Sequence, residues 1–403
     1  MQKKDSSRLQ QSSNPKRGSA LEPLLHSEHS LFIEKLIVGG EGLARLAYEN
    51  KNLVVFVPGT APGETARVRI TGLEKNHLRG EVLSIELASP HRREAPCEYF
   101  KSCGGCSWQH ITEDEQIRQK ELVLADLLKK FIPQSGWELQ PTVRSENSWH
   151  YRNRIQLKQM GAELGYFRKS THQIVDIDRC LIADKKISDQ IPAIKKSLRP
   201  SQQIKKFELR LNQNNEFEHY PIGESGEELA FSQVNNAVNA ELVSAVLKIA
   251  TALKPTQLTE LYAGAGNFTF PLLRELSDLQ IEAAELNSQL TAFATEKLKQ
   301  LRLQKRLHFF TANCDTFVRR RPLSKELILL DPPRSGCSVP VLTALKAAAA
   351  ENIVYISCHP SYLARDLKEI LTAQPDYQIR HLQIFDMFPQ TDHFETLVWL
   401  SKN

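Results

Sequence analysis

A cysteine at the end of an apolar stretch is the residue of this sequence whose type and position best suit covalent chemistry. Residues 354–357 are mostly apolar, and Cys358, His359 and Pro360 end this stretch abruptly. Such a stretch predicts a buried parallel strand, and ligands of open α/β sheets bind at the carboxyl ends of such strands. Cys358 is therefore a candidate nucleophile, with a small buried packing residue as the alternative.

Four other cysteines have the type and spacing of metal ligands. Cys97, Cys103 and Cys106 lie close together, with two glycines between the last two of them, and Cys180 follows much later in the chain. Three clustered thiols with one distant thiol are typical of a 4Fe-4S cluster, whereas a four-thiolate zinc site is usually built from two short-spaced pairs. We expect the iron–sulfur cluster, and zinc is the alternative.

A glycine turn after a short strand predicts a site for a nucleotide-like ligand. Residues 258–268 run from an apolar strand through Gly264 and Gly266 into a helix. Glu285 ends the next strand, where a carboxylate can hold ribose hydroxyls. The third glycine of the dinucleotide fingerprint is absent, which favours S-adenosylmethionine because this ligand has no pyrophosphate for the helix end. An ordinary strand–turn–helix is the alternative.

Two more polar residues follow apolar strands. Asp331 comes directly after residues 327–330, in a turn that two prolines stiffen. Asn313 lies in a polar loop over residues 312–315, from which a side chain could reach an adenine ring. We expect Asp331 to lie beside the same crevice as the glycine turn, since the ends of parallel strands meet at one edge of a sheet.

The elements that must position these residues fall into four segments. We predict a disordered basic tail over residues 1–29, an OB-like β-barrel over 30–89, a central α+β domain over 90–230 and a C-terminal α/β domain over 231–403. Short β-rich runs between Gly-Gly and Pro-Gly turns indicate the barrel. Helical spacing of leucines predicts a helix over residues 113–131, which we expect to pack on the C-terminal domain.

The central segment contains a strand pattern with a basic face. Arg152, Arg154 and Lys158 fall on one parity of the stretch 150–158, so their side chains point to the same side of a strand. Such a face can contact RNA phosphates, and a solvated strand face explains the pattern equally well.

Composition limits the partners and the location. The chain of 403 residues carries a formal net charge of +5, of which residues 1–20 contribute +4, so an RNA surface must come from local patches. We find neither a continuous apolar run of membrane-spanning length nor a signal peptide. We therefore expect a cytoplasmic protein without a membrane partner, and a monomer.

Taken together, the motifs resemble the bacterial RNA 5-methyluridine methyltransferases. The C-terminal motifs are FSQVN at 231–235, LYAGAGNFT at 261–269, LDPPR at 330–334, SCHP at 357–360 with ARDL at 364–367, and HFET at 393–396. Residues 39–45, 55–64 and 89–92 resemble a TRAM domain, an OB-like RNA-binding barrel. A TRAM domain with a cysteine cluster is similar to the 23S ribosomal RNA branch of the family, because we expect the related tRNA branch to lack both.

The resemblance implies an activity and a set of site residues. It implies a C-terminal class I, Rossmann-like methyltransferase domain that transfers a methyl group from S-adenosylmethionine to carbon 5 of a uridine in 23S ribosomal RNA. It gives Cys358 the role of nucleophile at carbon 6, Glu395 that of general base, and Asp331 a supporting role. It assigns cofactor contacts to Gln233, Tyr262, Asn267, Glu285, Asn313 and Asp331, base stacking to Phe231, and the 4Fe-4S ligands to Cys97, Cys103, Cys106 and Cys180.

Two residues depart from the family pattern. Ala263 replaces a cysteine, and His359 replaces an asparagine next to the nucleophile. An imidazolium at His359 would lower the pKa of Cys358, so we predict a lower thiol pKa here than in a His359→Asn variant. A 5-methylcytidine methyltransferase and a catalytically silent RNA-binding iron–sulfur protein are the competing hypotheses. The first normally has a proline–cysteine motif, which this chain lacks, and the second would not need Cys358 and Glu395.

Overall fold

The computed structural model describes residues 21–169, 171–212, 214–222 and 233–402. Most of the predicted basic tail and Phe231, the predicted base-stacking residue, lie outside the described residues. The chain divides into two compact units, with the division between Arg92 and Arg93. The sequence instead predicted four segments.

The first unit is a small closed barrel. Its strands follow the order β1-β2-β3-β5-β4 around the barrel. Alternate side chains such as Ile33, Val55 and Val68 point inward and are fully buried, as the period of two in a strand requires. The elements are a 3₁₀ turn (Glu22–Leu24), β1 (Glu28–Leu36), β2 (Gly42–Tyr48), β3 (Lys51–Val57), β4 (Thr65–Leu73) and β5 (Leu78–Leu87). The predicted closed barrel is therefore present, and its first strand begins within the last residues of the predicted tail.

The middle of the chain forms a five-stranded antiparallel sheet with the order β11-β10-β7-β8-β9. Its core includes Leu157, Leu164, Ile191 and Leu209. The elements of this part of the chain are α1 (Glu113–Phe131), β6 (Gln140–Val143), β7 (Arg154–Gly161), β8 (Glu163–Phe167), β9 (Ile174–Asp176), α2 (Lys185–Ser188), α3 (Ile191–Ser197), β10 (Ser201–Leu211) and β11 (Phe217–Ile222).

The C-terminal part forms most of an eight-stranded sheet with the order β14-β13-β12-β15-β16-β18-β17-β6. The neighbouring strands β14, β13, β12, β15 and β16 are all parallel to one another. Strand β18 is antiparallel to β16 and to β17. The elements are α4 (Asn236–Leu253), β12 (Gln257–Leu261), α5 (Thr269–Glu275), β13 (Gln280–Glu285), α6 (Ser288–Gln300), β14 (Leu307–Thr311), α7 (Cys314–Arg320), β15 (Leu327–Leu330), α8 (Val339–Ala347), β16 (Asn352–Ser357), α9 (Pro360–Ala373), β17 (Tyr377–Phe385) and β18 (Glu395–Lys402).

Helices cover both faces of this sheet. Ile353 and Tyr355 of β16 pack into one hydrophobic core, whereas Val354 and Ile356 pack into another. The first core includes residues of α1, α7, α8 and α9, and the second includes residues of α4, α5 and α6. A central strand buried on both sides is apolar at every position, which is why the stretch before Cys358 is nearly continuous in its hydrophobicity.

The predicted boundary at residue 230 does not separate two compact units. Helix α1 places Leu124 and Leu128 in the same core as α8 and α9, and β6 extends the large sheet by pairing with β17. Residues 93–402 thus share cores and a sheet, since the segment before β7 contributes to the C-terminal fold. Among the described helices, α4 is the one long and apolar enough to cross a membrane. Its Val238, Leu242 and Val246 pack in the second core.

Candidate functional site

The strand order brings the predicted site residues to one edge of the large sheet. Tyr262, Asp331 and Cys358 directly follow β12, β15 and β16, and Glu285 is the last residue of β13. Neighbouring parallel strands end at the same edge, so these residues line it in sequence. The direction of the strand order reverses between β12 and β15, and open α/β sheets bind their ligands at such a point.

Strand β18 brings Glu395 to the same edge, although it runs in the opposite direction. Ser357 pairs with Thr396 in the antiparallel register of β16 and β18. Cys358 directly follows Ser357, and Glu395 directly precedes Thr396, so the two residues are neighbours of this last pair. Glu395 is the first residue of the antiparallel strand β18, and it is therefore near Cys358, the residue that follows the parallel strand β16.

Burial keeps the candidate nucleophile protonated in the absence of substrate. Burial, and after it the carboxylates of Glu395 and Asp331, raise the pKa of the Cys358 thiol to about 12, whereas Arg334 acts in the opposite direction. These electrostatic effects also show that all four groups lie near each other. The arrangement holds a thiol whose proton must leave before it can attack an electrophilic carbon.

Glu395 is a buried carboxyl whose placement suits proton transfer. Burial and then Asp331 raise the pKa of Glu395 well above its usual value, while Arg334 lowers it. Within the described residues its Oε2 atom has no hydrogen-bond partner, and the residue is only 3% exposed. An unpaired buried carboxyl oxygen is costly, and such groups are found where a substrate supplies the missing partner.

The glycine turn after β12 has the backbone conformation that its sequence predicts. Tyr262, Gly264 and Gly266 have positive φ angles of 61°, 57° and 86°. A Cβ atom on Gly266 would lie 2.5 Å from the Phe270 ring, so a larger residue does not fit there. The Gly264 N–H donates to the Glu285 carboxylate at 3.0 Å, which ties the turn to the end of β13.

A second carboxyl lies beneath this turn. Burial raises the pKa of Glu260, in β12, to about 8, and the Thr269 hydroxyl donates to its carboxyl group at 2.5 Å. Burial likewise raises the pKa of Asp331 to about 7.

Ala263, which replaces the family cysteine, is buried in the second core and so has a packing role.

The other predicted cofactor residues make hydrogen bonds within the chain. Asn267 and Asn239 exchange two amide hydrogen bonds of 3.0 Å each. The Asn313 side chain accepts the N–H of Asp315 at 2.8 Å at the start of α7. Gln233 is buried, and its backbone carbonyl accepts from the Asn153 amide at 3.0 Å. Asn267 and Asn313 therefore occupy loops that follow β12 and β14, at the same edge as Cys358.

Sequence reasoning missed Arg334 as a functional residue. It lies in the exposed turn after Asp331 and acts electrostatically on Cys358, His359, His393 and Glu395. The Asp-Pro-Pro-Arg motif was a signal that could have identified it, since the prolines fix the direction in which the chain leaves β15.

The surroundings of His359 disfavour the cation that the sequence suggested. Burial and then Arg334 lower the pKa of its imidazole. Its ring contacts that of Tyr362 with centroids 4.8 Å apart. The nearby cation that lowers the pKa of Cys358 is Arg334. The expected imidazolium effect on Cys358 is therefore unsupported, because desolvation disfavours the charged ring.

A buried carboxylate holds the turn of Asp331 against the nucleophile strand. Asp366 of α9 accepts hydrogen bonds from the Tyr355 hydroxyl at 2.7 Å and from the Cys337 N–H at 2.8 Å. Arg365 donates to the same carboxylate at 2.7 Å and to the Cys337 carbonyl at 3.0 Å. Arg365 and Asp366 of the ARDL motif thus have a structural role, because their hydrogen bonds connect β16, α9 and the turn.

The four predicted metal ligands line one cavity beside the five-stranded sheet. Cys97, Cys103, Cys106 and Cys180 share it with Tyr166, and Cys103 accepts the N–H of Gly105 at 3.3 Å. Burial, and to a smaller extent the neighbouring thiols, raise the pKa of Cys103 to about 11 and that of Cys106 to about 12. In the described part of the chain, we find no group of three or more histidine, cysteine or acidic side chains that could hold a metal ion.

Four thiols are the donor set that either a 4Fe-4S cluster or a zinc ion takes. The N–H of Gly105, which donates to the Cys103 sulfur, is the kind of group that can stabilise a thiolate ligand. The choice between the cluster and zinc stays a prediction.

The predicted basic strand face is partly neutralised. Arg154 lies 3.6 Å from the buried carboxylate of Glu208, and Lys158 lies over the Phe167 ring at 5.4 Å. Arg152 precedes β7 and lies over the Phe388 ring at 5.6 Å. Ion pairing and ring contacts therefore account for part of the pattern that suggested RNA contact.

Known families and known proteins resemble this chain over the regions that contain the barrel and the large sheet. The family described as tRNA (uracil-5-)-methyltransferase matches residues 210–403, and the TRAM domain matches residues 31–83. An uncharacterized RNA methyltransferase of Bdellovibrio bacteriovorus is 38% identical over 385 residues, which cover 94% of this chain and 96% of that protein. A 23S rRNA (uracil(1939)-C(5))-methyltransferase of Shewanella halifaxensis is 28% identical over 443 residues, which cover 93% of this chain and 95% of that protein.

A solved structure shares the fold over nearly the whole chain. The tRNA (uracil-54, C5)-methyltransferase of Pyrococcus abyssi, in complex with S-adenosyl-L-homocysteine, superimposes with a TM-score of 0.69 at 20% identity. The match covers 92% of this chain and 99% of that one, so it extends beyond the large sheet into the N-terminal barrel. The expectation that a TRAM domain together with a cysteine cluster marks the ribosomal RNA branch stays a prediction, because a likeness at 20% identity shows the fold alone.

Proposed function

Because the chain belongs to the RNA (uracil-5-)-methyltransferase family, we propose that it methylates carbon 5 of a uridine in 23S ribosomal RNA through a covalent adduct with Cys358. The observation that supports the covalent mechanism is the pairing of Ser357 with Thr396, whose neighbours Cys358 and Glu395 are close enough for the Glu395 carboxylate to raise the pKa of the Cys358 thiol. A thiol and a buried carboxyl on either side of one uracil ring are what addition and elimination at carbons 6 and 5 require.

The proposed reaction has two steps, addition with methyl transfer and then elimination, and a different residue acts in each. The Cys358 thiolate forms a bond to carbon 6, and the electron pair of the 5–6 double bond moves to carbon 5, which then takes the methyl group. The Glu395 carboxylate removes the remaining proton from carbon 5, the double bond re-forms and the thiolate leaves. Arg334 favours both reactive anions, since it lowers the pKa of Cys358 and of Glu395. The target uridine must leave its base stack to reach the sheet edge.

S-adenosylmethionine would supply the electrophilic methyl group, and the residues at the sheet edge suit it. The Glu285 carboxylate accepts from Gly264 and Asn287 and retains lone pairs for ribose hydroxyls. We assign contacts with this cofactor to Gln233, Tyr262, Asn267, Glu285, Asn313 and Asp331. The two-glycine turn favours it over a dinucleotide, because the third glycine of the dinucleotide fingerprint is absent and this ligand has no pyrophosphate.

Cys97, Cys103, Cys106 and Cys180 would hold a 4Fe-4S cluster with a structural role. Transfer of a methyl group from a sulfonium to carbon 5 needs neither an oxidant nor a reductant, so the reaction has no need of a redox centre. A brown protein prepared without oxygen, with iron and sulfide in equal amounts, supports this assignment. Zinc as the bound metal, or an unchanged iron content in a Cys180→Ala variant, contradicts it.

Ribosomal RNA and transfer RNA are both uridine-containing candidates. The Shewanella relative named for position 1939 of 23S rRNA favours ribosomal RNA, whereas the family description and the Pyrococcus structure name tRNA. We favour ribosomal RNA, because the named ribosomal relative is similar over 93% of this chain at the higher sequence identity. We also propose that the protein acts in the cytoplasm as a monomer.

The test is methyl transfer in vitro. Purified protein is incubated with labelled S-adenosylmethionine and with either unmodified 23S rRNA or unmodified tRNA. We expect labelled 5-methyluridine to form in the ribosomal RNA. RNA that carries 5-fluorouridine should trap the protein, because fluorine cannot leave carbon 5 as a cation. A Cys358→Ser variant is the matched control and should do neither. Label in tRNA alone would identify tRNA, and not ribosomal RNA, as the substrate. Failure to label either RNA would refute the proposed activity.

A further inference from the structure

We propose that Ser107, directly after the third clustered cysteine, is a positioning residue for the general base Glu395. The inference rests on the proposed function and adds to it a physical connection between the cysteine site and the elimination step. The connection runs through the loop between β17 and β18, which covers residues 386–394 and leads directly into Glu395.

Ser107 makes a reciprocal pair of hydrogen bonds with this loop. Its hydroxyl donates to the Asp392 carboxylate at 2.8 Å and accepts the Asp392 N–H at 2.9 Å. The backbone N–H groups of Ser107 and Trp108 both donate to the Gln390 carbonyl, at 3.2 and 3.0 Å. The segment after Cys106 thus contacts the loop at two positions, the nearer of which precedes Glu395 by three residues.

Residues of α1 hold the other side of the loop. Gln390 is fully buried, and its N–H donates to the Gln116 side chain at 2.9 Å. The Gln390 side chain accepts from Arg93 at 2.9 Å and donates to Glu113 at 3.1 Å. Gln390 has a φ angle of 68°, a conformation that a non-glycine residue keeps only where its surroundings enforce it.

The start of the loop has its own anchor. Lys120 of α1 is fully buried and donates to Asp386 at 2.6 Å and to the Phe388 carbonyl at 3.3 Å. The start and the middle of the loop are therefore fixed by α1. Its last part, from Asp392 to Glu395, is fixed by Ser107 on one side and by the pairing of β18 on the other.

Glu395 depends on this backbone because one of its carboxyl oxygens has no hydrogen bond. Its Oε2 atom has no hydrogen-bond partner among the described residues, so no hydrogen bond to this atom fixes where the carboxyl points. The loop that precedes it must do so. Catalytic groups lose much of their effect when they are displaced by about 1 Å. Ordering of residues 97–106 by a bound cluster would therefore reach the base through Ser107 and Asp392.

The chemistry predicts a specific defect when this contact is lost. Addition of Cys358 and methyl transfer need no base at carbon 5, whereas elimination requires Glu395 to take the proton there. A displaced Glu395 therefore slows the release of product, and the methylated RNA stays bonded to Cys358. A general loss of structure would instead reduce the formation of the adduct.

The experiment compares Ser107→Ala with Ser107→Thr, which keeps the hydroxyl, and with Ser102→Ala, a serine of the same cysteine segment outside this contact. We expect Ser107→Ala, which removes both hydrogen bonds of the hydroxyl, to reduce turnover about tenfold. The share of protein covalently bound to uridine RNA during turnover should rise, while metal content and trapping by 5-fluorouridine RNA stay as in the wild type. Both controls should behave as the wild type.

A second variant approaches the contact from the loop. Asp392→Ala removes the hydrogen bond from the Ser107 hydroxyl but keeps the one from the backbone N–H, so it should also raise the share of adduct, by no more than Ser107→Ala does. Combining the two variants should add no further loss to Ser107→Ala, which already removes both hydrogen bonds. Wild-type turnover and adduct levels in Ser107→Ala overturn the inference, and so does an equal fall in turnover and in 5-fluorouridine trapping. If the wild-type protein neither methylates nor is trapped by either RNA, the proposed function itself has failed.

Discussion

Glu395 and Cys358 flank the last pair of the antiparallel strands β16 and β18, Ser357–Thr396, and Glu395 acts electrostatically on the Cys358 thiol. The two residues have opposite tasks in the proposed reaction, since one adds to the uracil ring and the other removes a proton from it. Their proximity also raises the pKa of the thiol, because the Glu395 carboxylate disfavours a second negative charge.

Replacing the base should separate the two halves of the reaction. In Glu395→Gln we expect the methylated covalent adduct to accumulate, with turnover reduced by at least about a hundredfold, the usual effect of losing a general base. Denaturing gel electrophoresis with labelled RNA measures the adduct. Cys358→Ser should form none. A Glu395→Gln variant that releases methylated RNA at the wild-type rate would assign the base to another residue.

The same substitution should lower the pKa of the thiol. Glutamine has no charge, so the effect by which Glu395 raises the pKa of Cys358 is lost. The rate of alkylation by iodoacetamide, measured against pH, should therefore reach its midpoint at lower pH in Glu395→Gln than in the wild type. Thr396→Ser is a neighbouring control that leaves the charge in place. A midpoint that moves upward contradicts the electrostatic arrangement.

Loss of the Arg334 charge should have the opposite effect. Arg334 lowers the pKa of Cys358, so Arg334→Gln raises it and slows alkylation at a fixed pH, about tenfold for each pKa unit. Arg334→Lys keeps the charge and should lie between the two. Because Arg334 is exposed, the difference should shrink as ionic strength rises. Equal rates for Arg334→Gln and the wild type at low salt would remove Arg334 from the site.

His359→Asn should leave the titration of Cys358 nearly unchanged. The imidazole pKa is lowered, so the ring carries no charge at the pH where the thiolate forms. We expect the midpoints of alkylation to agree within about half a pKa unit, less than the shift expected from a neighbouring charge. A clearly higher midpoint in His359→Asn would restore the imidazolium hypothesis.

The buried Asp366 network should contribute strongly to stability. Asp366→Ala leaves the Tyr355 hydroxyl, the Cys337 N–H and Arg365 without their shared acceptor, and we expect a loss of about 3 kcal/mol in the free energy of unfolding. Tyr355→Phe removes one donor and should cost about 1 kcal/mol. Urea unfolding measures both. Equal losses in the two variants would show that the network does not centre on Asp366.

Much of the local structure was predictable from the sequence. The helix over residues 113–131 has the bounds of α1, and the small closed barrel is present. The ends of β12, β13, β15 and β16 lie where the glycine turn, Glu285, Asp331 and Cys358 predicted them. These features follow from short-range patterns, since hydrophobic periodicity, glycine and proline act over a few residues.

Only the tertiary structure decided which distant residues meet. It inserts β18 between β16 and β17, which brings Glu395 to Cys358, and it joins α1 and β6 to the C-terminal fold. It also surrounds one cavity with Cys180 and the three clustered cysteines, and it shows Arg334 and Ser107 beside groups far away in the chain. The physical reason is that strand order and register depend on the packing of both faces of a sheet, which no local pattern encodes.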